Sequence, residues 1–489
     1  MAVGKSLTVP VCTPGTSIKE IPMSESHSAE HLRSNTSSLT HVPIDELKIP
    51  RRQLRRHAKS QIRKIARSLD TFGFVSPILI DRHNNVIAGA ARIQAAKELG
   101  LTSALVLRVE HLSDEEVRLY RIADNRLAEE AEWNLPELQQ EFGDLIALEL
   151  DITITGFETP EIDIVLMPPC TETDPSDDIR ALNPDRDPVT RFGDTWEIGA
   201  HHLHCGDARD PLAYVALIGE DQVNAVFTDP PYNVPVAGHM GGLGRHKHRE
   251  FIMASGEMSP ELFSALLRSA LENAATHAAK GAVLFVCMDW RSIDVLKHAA
   301  NATGLETLNL CVWNKANGAM GSLYRSKHEL VWVFRVPGAG HTNNVQLGKH
   351  GRNRTNVWNY AGANTPGSDS NRDLALHPTV KPVALIADAI LDVTRRGDIV
   401  LDMFGGVGST LLAAERTGRI ARLIELDPLY VDTTLDRVRE NTGVDIRLAN
   451  TGQTFEEVRA ERKEAEPNTP ARFRPRTARP MNDGGANEC

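Results

Sequence analysis

Apolar positions along the chain follow two rhythms. In the first third, Ile62, Ile65, Ala66, Leu69 and Phe72 recur at helical intervals, which predicts an amphipathic helix with one face against a core. Residues 75–80 then read as a strand, His83-Asn84-Asn85 as a turn and 86–88 as a second short strand,. A further helix opens at Gly89, runs through Leu99 and is closed by Gly100,. From Arg191 onward the rhythm changes. Apolar runs at 224–228, 282–288, 308–313, 330–334, 399–401 and 423–424 are separated by helical stretches. That alternation predicts an α/β domain built on a largely parallel sheet.

The segments between these patterns set the domain limits. Residues 1–40 are rich in Ser, Thr, Pro and Gly without periodicity and are expected to be a disordered leader. A small α+β domain is expected over 41–150 and a linker over 151–190, whose second half is dense in Pro and Asp,. The larger domain is expected over 191–445. A charged helix and a disordered, Pro- and Arg-rich tail are expected over 446–489.

Composition narrows the class. The 489 residues are 41% hydrophobic and 24% charged, enough for two or three ordinary cores. The apolar run at 282–288 is too short to cross a bilayer, and no secretory signal is legible, so a cytoplasmic location is expected. Cys12, Cys170, Cys205, Cys287, Cys311 and Cys489 lack C-x-x-C spacing. They suit a reducing compartment rather than a disulfide framework. His201, His202, His204 and Cys205 crowd together, but no metal site is expected. A net charge of −11 argues weakly against nucleic acid, because binding needs only a local basic face. Two such stretches exist, one with Arg245, Lys247 and Arg249, the other with Lys349, Arg352 and Arg354. Both are candidate phosphate contacts.

Candidate chemistry lies at two strand ends. Asp229-Pro230-Pro231-Tyr232 follows the apolar run 224–228 directly. An exocyclic amine on a base is a poor nucleophile, because its lone pair is delocalised into the ring. Asp229 and the Pro230 carbonyl could accept its two N–H groups and free that pair. The prolines stiffen the turn so that the acceptors are held beforehand, and Tyr232 could stack on a base swung out of its duplex. The second site is Asp402-Met403-Phe404-Gly405-Gly406-Val407-Gly408-Ser409-Thr410, after the run 399–401. Its glycines admit close approach of a ligand, and the next strand ends in Glu425, placed to bind ribose hydroxyls. The dinucleotide fingerprint is incomplete, which suits an adenosine with a small zwitterionic tail better than a nicotinamide cofactor.

With these residues in place, the chain resembles the beta-class DNA amino-methyltransferases, in which the D-P-P-Y half precedes the F-x-G-x-G half. The smaller boxes follow in order: Cys205-Gly206-Asp207, Trp313-Asn314-Lys315 with His328-Glu329, and His377-Pro378-Thr379-Val380-Lys381-Pro382. The resemblance implies a Rossmann-like, S-adenosyl-L-methionine-dependent methyltransferase fold with circularly permuted motifs, and methyl transfer to adenine N6 of double-stranded DNA. It implies catalytic roles for Asp229, Pro230, Pro231 and Tyr232. It implies cofactor contacts at Asp207, Lys381, Asp402, Phe404, Gly406, Gly408 and Glu425, with Gly405, Ser409 and Thr410 counted in the same loop. Target recognition is expected over 336–376. Met403 departs from the family, which usually has proline there. The alternatives are a cytosine-N4 enzyme and a DNA-binding protein with an inactive methyltransferase half. A cytosine-C5 enzyme at Pro168-Pro169-Cys170 is disfavoured, because that cysteine lies ahead of the larger domain.

The first domain resembles the ParB-like nuclease/sulfiredoxin fold through Ser76-Pro77-Ile78, Val86 to Arg92 and Ala123 to Arg126. There Gly89 and Arg92 match a phosphate-binding turn. Ala90 stands where sulfiredoxins carry cysteine, which excludes that activity. Besides DNA, a nucleotide at this domain and a second copy of the chain are candidate partners.

Overall fold

The computed structural model describes residues 39–167, 175–177, 186–234, 253–315, 323–349, 352–361 and 380–465. Arg245, Lys247 and Arg249, the Pro-Pro-Cys at 168–170 and residues 377–379 lie outside them, as do 1–38 and 466–489. The chain divides into two compact units, one up to Trp133 with 154–156, the other holding 134–153 and everything from Phe157.

The first unit is a four-stranded sheet in the order β1-β4-β2-β3, with β1 (Leu39–Pro43), β2 (Ile78–Ile80), β3 (Val86–Ala88) and β4 (Ser103–Arg108). Ile78, Ile80, Ile93 and Val106 are fully buried at its centre. Helix α1 (Lys59–Phe72) buries Ile62, Ala66 and Leu69 as its spacing predicts. Phe72, expected on that face, is exposed, because the helix stops there at Gly73. Helix α2 (Ala90–Glu98) starts from Gly89, whose φ of +100° is a left-handed conformation open to glycine,. Helix α3 (Asp114–Leu127) begins in a Ser113–Glu116 capping box and buries none of its residues,.

The second unit starts earlier than the sequence pattern suggests. Helix α4 (Leu135–Ala147) packs with α5 (Thr159–Leu166), and Phe142 meets Phe157 edge-on. The expected linker at 151–190 thus contains an ordered helix. Asp163 on α5 is buried and forms a two-pronged ion pair with the fully buried Arg419 guanidinium, at 2.8 and 3.0 Å. Part of the expected linker is therefore folded into the larger unit, with Asp163 paired to a buried guanidinium and Met167 packed on the main core.

The main sheet runs β11-β9-β10-β8-β7-β12-β13-β6-β5-β14. Its centre is β8 (Ala278–Met288), β7 (Val223–Thr228), β12 (Ile399–Asp402), β13 (Ile420–Glu425) and β6 (His201–Cys205), all mutually parallel. Antiparallel pairs flank it: β10 (His328–Arg335) pairs with β8 and with β9 (Glu306–Asn314), and β5 (Thr195–Ile198) pairs with β6. On one face lie α6 (Pro211–Ile218), α7 (Pro260–His277) and α8 (Ile293–Ala302). On the other lie α9 (Val383–Val393), α10 (Ser409–Thr417) and α11 (Pro428–Thr442). Alternate strand residues feed the two cores, Phe227 one and Val226 the other, as burial on both sides of a parallel sheet requires.

Two further strands extend the sheet. The chain beyond 445 adds β14 (Ile446–Leu448), antiparallel to β5, and then α12 (Phe455–Ala465), which buries Phe455 and Val458 in the main core. Phe455 stands edge-on to Trp196, so two apolar anchors hold a helix that reads as merely charged. Within the expected recognition region, β11 (Val357–Asn359) extends the sheet edge beside β9. No helix among the described residues is long and apolar enough to cross a membrane.

Candidate functional site

Because β6, β7, β12 and β13 run parallel, their last residues, Cys205, Thr228, Asp402 and Glu425, reach the same sheet edge. Open α/β sheets bind ligands there. A cleft at this edge encloses about 690 Å³, open solvent included, and is lined by Gly206, Asp207, Ala208, Pro231, Met253, Met403, Phe404, Gly406, Glu425, Leu426, Asp427 and Tyr430. Asp207, Phe404, Gly406 and Glu425 are thus brought together as the sequence predicts. Pro231 of the Asp-Pro-Pro-Tyr turn forms part of the same wall.

Glu425 is held by backbone alone among the described residues. One of its oxygens accepts from the Gly406 N–H and the other from the Asp427 N–H, both at 2.8 Å. Burial outweighs these bonds and pushes its carboxyl up to about 7,. A half-buried carboxylate at the cleft wall, with spare lone pairs and no cation beside it among the described residues, can take hydrogen-bond donors from a ligand,. Asp207 is instead engaged by Arg209, at 2.6 Å. Burial lifts its carboxyl, but the Arg209 bonds prevail and hold it below the usual range.

Several residues expected at the cofactor do not line the cleft. Asp402 is buried and accepts from the Thr228 hydroxyl at 2.8 Å, the Thr410 hydroxyl at 2.6 Å and the Phe404 N–H at 3.1 Å. Burial raises its carboxyl to about 6. It pins the end of β7 to the glycine loop and the start of α10. Ser409 is buried against Arg437, at 3.1 Å. Gly405 packs on Leu423, where a Cβ would come within 3.1 Å. Gly408 has φ +79°, and a Cβ there would meet Thr434 at 2.4 Å. Asp402, Gly405, Gly408, Ser409 and Thr410 therefore build the loop that presents Phe404 and Gly406.

Beside the cleft, Asp229 leaves the end of β7 with both oxygens engaged. Oδ1 accepts from the Tyr232 hydroxyl at 2.6 Å, and Oδ2 accepts from Lys381 Nζ at 2.5 Å. Lys381 is therefore on the Asp229 carboxylate rather than in the cleft. Its ammonium also lies 3.1 Å from Glu329 on β10, and Lys315 at the end of β9 donates to the other oxygen of Glu329. Burial raises the Asp229 carboxyl; Lys381 pulls it back and Glu329 adds to the rise. For Glu329 burial is outweighed by the two lysines, and the carboxyl falls. The turn itself is fixed from below. Asn233, in the left-handed region at φ +55°, accepts from the N–H groups of Gly256 and Met258, and the Ser292 hydroxyl donates to the Tyr232 carbonyl. Asn233 and Ser292 carry no motif that singles them out. Glu329 is visible as a lone acid in an apolar strand.

The second basic stretch is largely spent on internal pairing. Arg352 bonds Asp392 at 2.7 Å, and Arg354 reaches Asp392 at 3.1 Å, Asp388 at 3.2 Å and the Tyr360 hydroxyl at 2.7 Å. The buried Asp392 and the half-buried Asp388 on α9 claim these guanidinium groups, which corrects their assignment to phosphate; Lys349 remains exposed. In the first unit, Arg92 donates to the Pro77 carbonyl at 3.3 Å beside Gly89. His201 donates to Glu415 and accepts from the Ala421 N–H, and His204 bonds Thr195.

Three family models match in succession. Residues 27–126 match the ParB N-terminal domain, 136–192 the ParB-methyltransferase HTH domain and 223–436 the DNA methylase family. Among curated proteins the chain is similar to the type II methyltransferase M.HinfI of Haemophilus influenzae, 24% identical over 252 residues, covering 47% of this chain and 67% of that protein. Among solved structures it is similar to an M1.HpyAVI–SAM complex, 20% identical with a TM-score of 0.36, covering 48% of this chain and 98% of that one. The cytosine-N4-specific PvuII DNA methyltransferase gives 17% identity and a TM-score of 0.39, over 56% of this chain and 94% of that one. The chromosome-partitioning protein ParB of Caulobacter crescentus, complexed with CTP-gamma-S, gives 23% and 0.24, over 26% and 77%.

Proposed function

We propose that this chain, in which an N-terminal ParB-like domain is joined to a DNA methylase of the N6/N4 amino type, methylates N6 of adenine in double-stranded DNA at the expense of S-adenosyl-L-methionine. The observation that carries the reading is the shared edge. Asp229 stands at the end of β7, Pro231 lines the cleft that holds Glu425, and Asp402 ties the two halves through Thr228. The cleft suits the cofactor because Glu425 offers acceptor oxygens where ribose hydroxyls need them. Phe404 offers a face for the adenine ring.

When bound, S-adenosyl-L-methionine supplies an electrophilic methyl group on sulfur. The chain does the rest. Asp229 and the Pro230 carbonyl accept the two N–H bonds of the amine and localise its lone pair. Tyr232 stacks on the displaced base. Asp229 then takes the proton that the alkylated nitrogen must lose. Asp rather than Ser at position 229 favours adenine over cytosine.

DNA is held by the basic stretch with Arg245, Lys247 and Arg249, aided by Lys349, and residues 336–376 read the target sequence. The ParB-like domain takes a nucleotide phosphate at Gly89 and Arg92, and the enzyme works in the cytoplasm. The deciding test is single-molecule sequencing of DNA from cells expressing the chain, with Asp229→Ala as control. N6-methyladenine in a fixed sequence context, absent from the control, is the expected result. N4-methylcytosine would replace the base assignment, and unmodified DNA would overturn the reading.

A further inference from the structure

Lys381 falls in a box whose resemblance implies a cofactor contact, yet its surroundings give it another task. It precedes α9, whose first turn is tied down by the Val383 N–H donating to Asp177 at 2.8 Å. Lys381 is only 4% exposed, and its ammonium reaches Asp229 at 2.5 Å, Glu329 at 3.1 Å and the Tyr232 hydroxyl at 3.2 Å. Lys315 closes the line on the far oxygen of Glu329. Lys381 does not line the cleft that holds Glu425.

We propose that Lys381 is a positioning residue for methyl transfer: with Glu329 and Lys315 behind it, it keeps the Asp229 carboxylate charged and aimed at the amino nitrogen, and it does not bind the methyl donor. This rests on the reading of Asp229 as the acceptor of the amine. The chemistry gives the reason. As the nitrogen lone pair forms the new N–C bond, the C–S bond breaks with both electrons on sulfur. The nitrogen is left with one proton too many. That proton passes to an Asp229 oxygen while the N–H electron pair stays on nitrogen. A protonated Asp229 could neither draw on the amine nor accept its proton.

Two carboxylates and two ammonium groups make the cluster neutral, and their order matters. Lys381 alone opposite Asp229 would hold the charge but weaken the carboxylate as an acceptor. Glu329 shares the same ammonium and restores that capacity, and Lys315 offsets Glu329 in turn. The groups facing Asp229 are Lys381 ahead of α9, Glu329 on β10, Cys287 on β8, Asp402 on β12 and Tyr232 on its own turn. Lys381 is the cation among them, so its removal and the removal of Glu329 must act in opposite directions.

The test follows the Asp229 carboxyl by carbon NMR in protein labelled at aspartate, assigned with Asp229→Asn, and measures S-adenosyl-L-methionine binding by calorimetry. In Lys381→Met the Asp229 titration is expected to move up by at least one pH unit, and in Glu329→Gln to move down. Donor affinity stays within threefold in both, and Lys381→Arg restores the wild-type titration. On DNA, kcat of Lys381→Met falls at least thirtyfold at neutral pH with KM for the donor unchanged, and its acid limb moves to higher pH. Tenfold loss of donor affinity in Lys381→Met, or an Asp229 titration that ignores both substitutions, would overturn the proposal. Titration and binding need no turnover. A wild-type protein that fails to methylate DNA therefore counts against the function, while these two readouts still decide the role of Lys381.

Discussion

Asp229 and Glu425 close two strands of the same parallel sheet, yet the chain surrounds them differently. Asp229 meets an ammonium and a tyrosine hydroxyl, inside a cluster of four charges that sum to zero. Glu425 meets two backbone amides, and burial leaves its carboxyl near neutrality, at about 7. A carboxylate next to a fixed cation is held ready for a charge that develops during reaction. One that has no such cation among the described residues has lone pairs to offer to donors that arrive and leave. The first arrangement suits catalysis and the second suits binding.

The sharpest way to break the comparison is to exchange each carboxylate and read two quantities. Asp229→Asn is expected to lower methyl transfer at least a thousandfold, an effect of about 4 kcal/mol on the barrier, with donor affinity by calorimetry within threefold. Glu425→Ala should do the reverse first. Donor affinity falls about a hundredfold, as loss of two charge-assisted hydrogen bonds predicts, while kcat at saturating donor stays within about tenfold. Equal losses of both quantities in both variants would erase the distinction.

A smaller effect comes from pH. If Glu425 takes the donor's ribose as proposed, its ionised form is the better acceptor of the hydroxyls. Donor affinity therefore rises as pH increases through about 7, by about tenfold between pH 6 and pH 8. In Glu425→Gln that dependence should be flat in a calorimetric series. The smallest effect concerns charges outside the cluster. Arg245→Ala with Lys247→Ala should weaken DNA binding severalfold and flatten the slope of log affinity against log salt by about 2. A slope that stays put would remove the stretch from the DNA surface.

How much of this the sequence carries depends on the range of the interaction. Strand ends and the loops that follow them are local, so Asp229 to Tyr232, Phe404, Gly406 and Glu425 could be placed from apolar runs and turn residues alone. Pairings between distant segments were not legible. Lys381 and Asp229 lie on different elements, and nothing in a lysine's neighbours in sequence says which carboxylate it will meet. Arg352 and Arg354 look like a basic patch until α9 presents Asp388 and Asp392 to them. Asp163 reads as part of an acidic linker until Arg419 claims it. The helix at Phe455–Ala465 is mostly charged, and two buried side chains on it, Phe455 and Val458, decide its place. Burial of a charge is a property of the fold, and composition over a window averages it away.

The central claim is that a methyl donor lying in the Glu425 cleft faces the acceptors at the end of β7. A crystal structure of the full chain with S-adenosyl-L-methionine tests it most directly. The account predicts ribose hydroxyls on the Glu425 carboxylate and a methyl group turned towards Asp229 and the Pro230 carbonyl, with room between for one amino nitrogen. A donor bound with its methyl group turned away from Asp229, or with its ribose off Glu425, would contradict it.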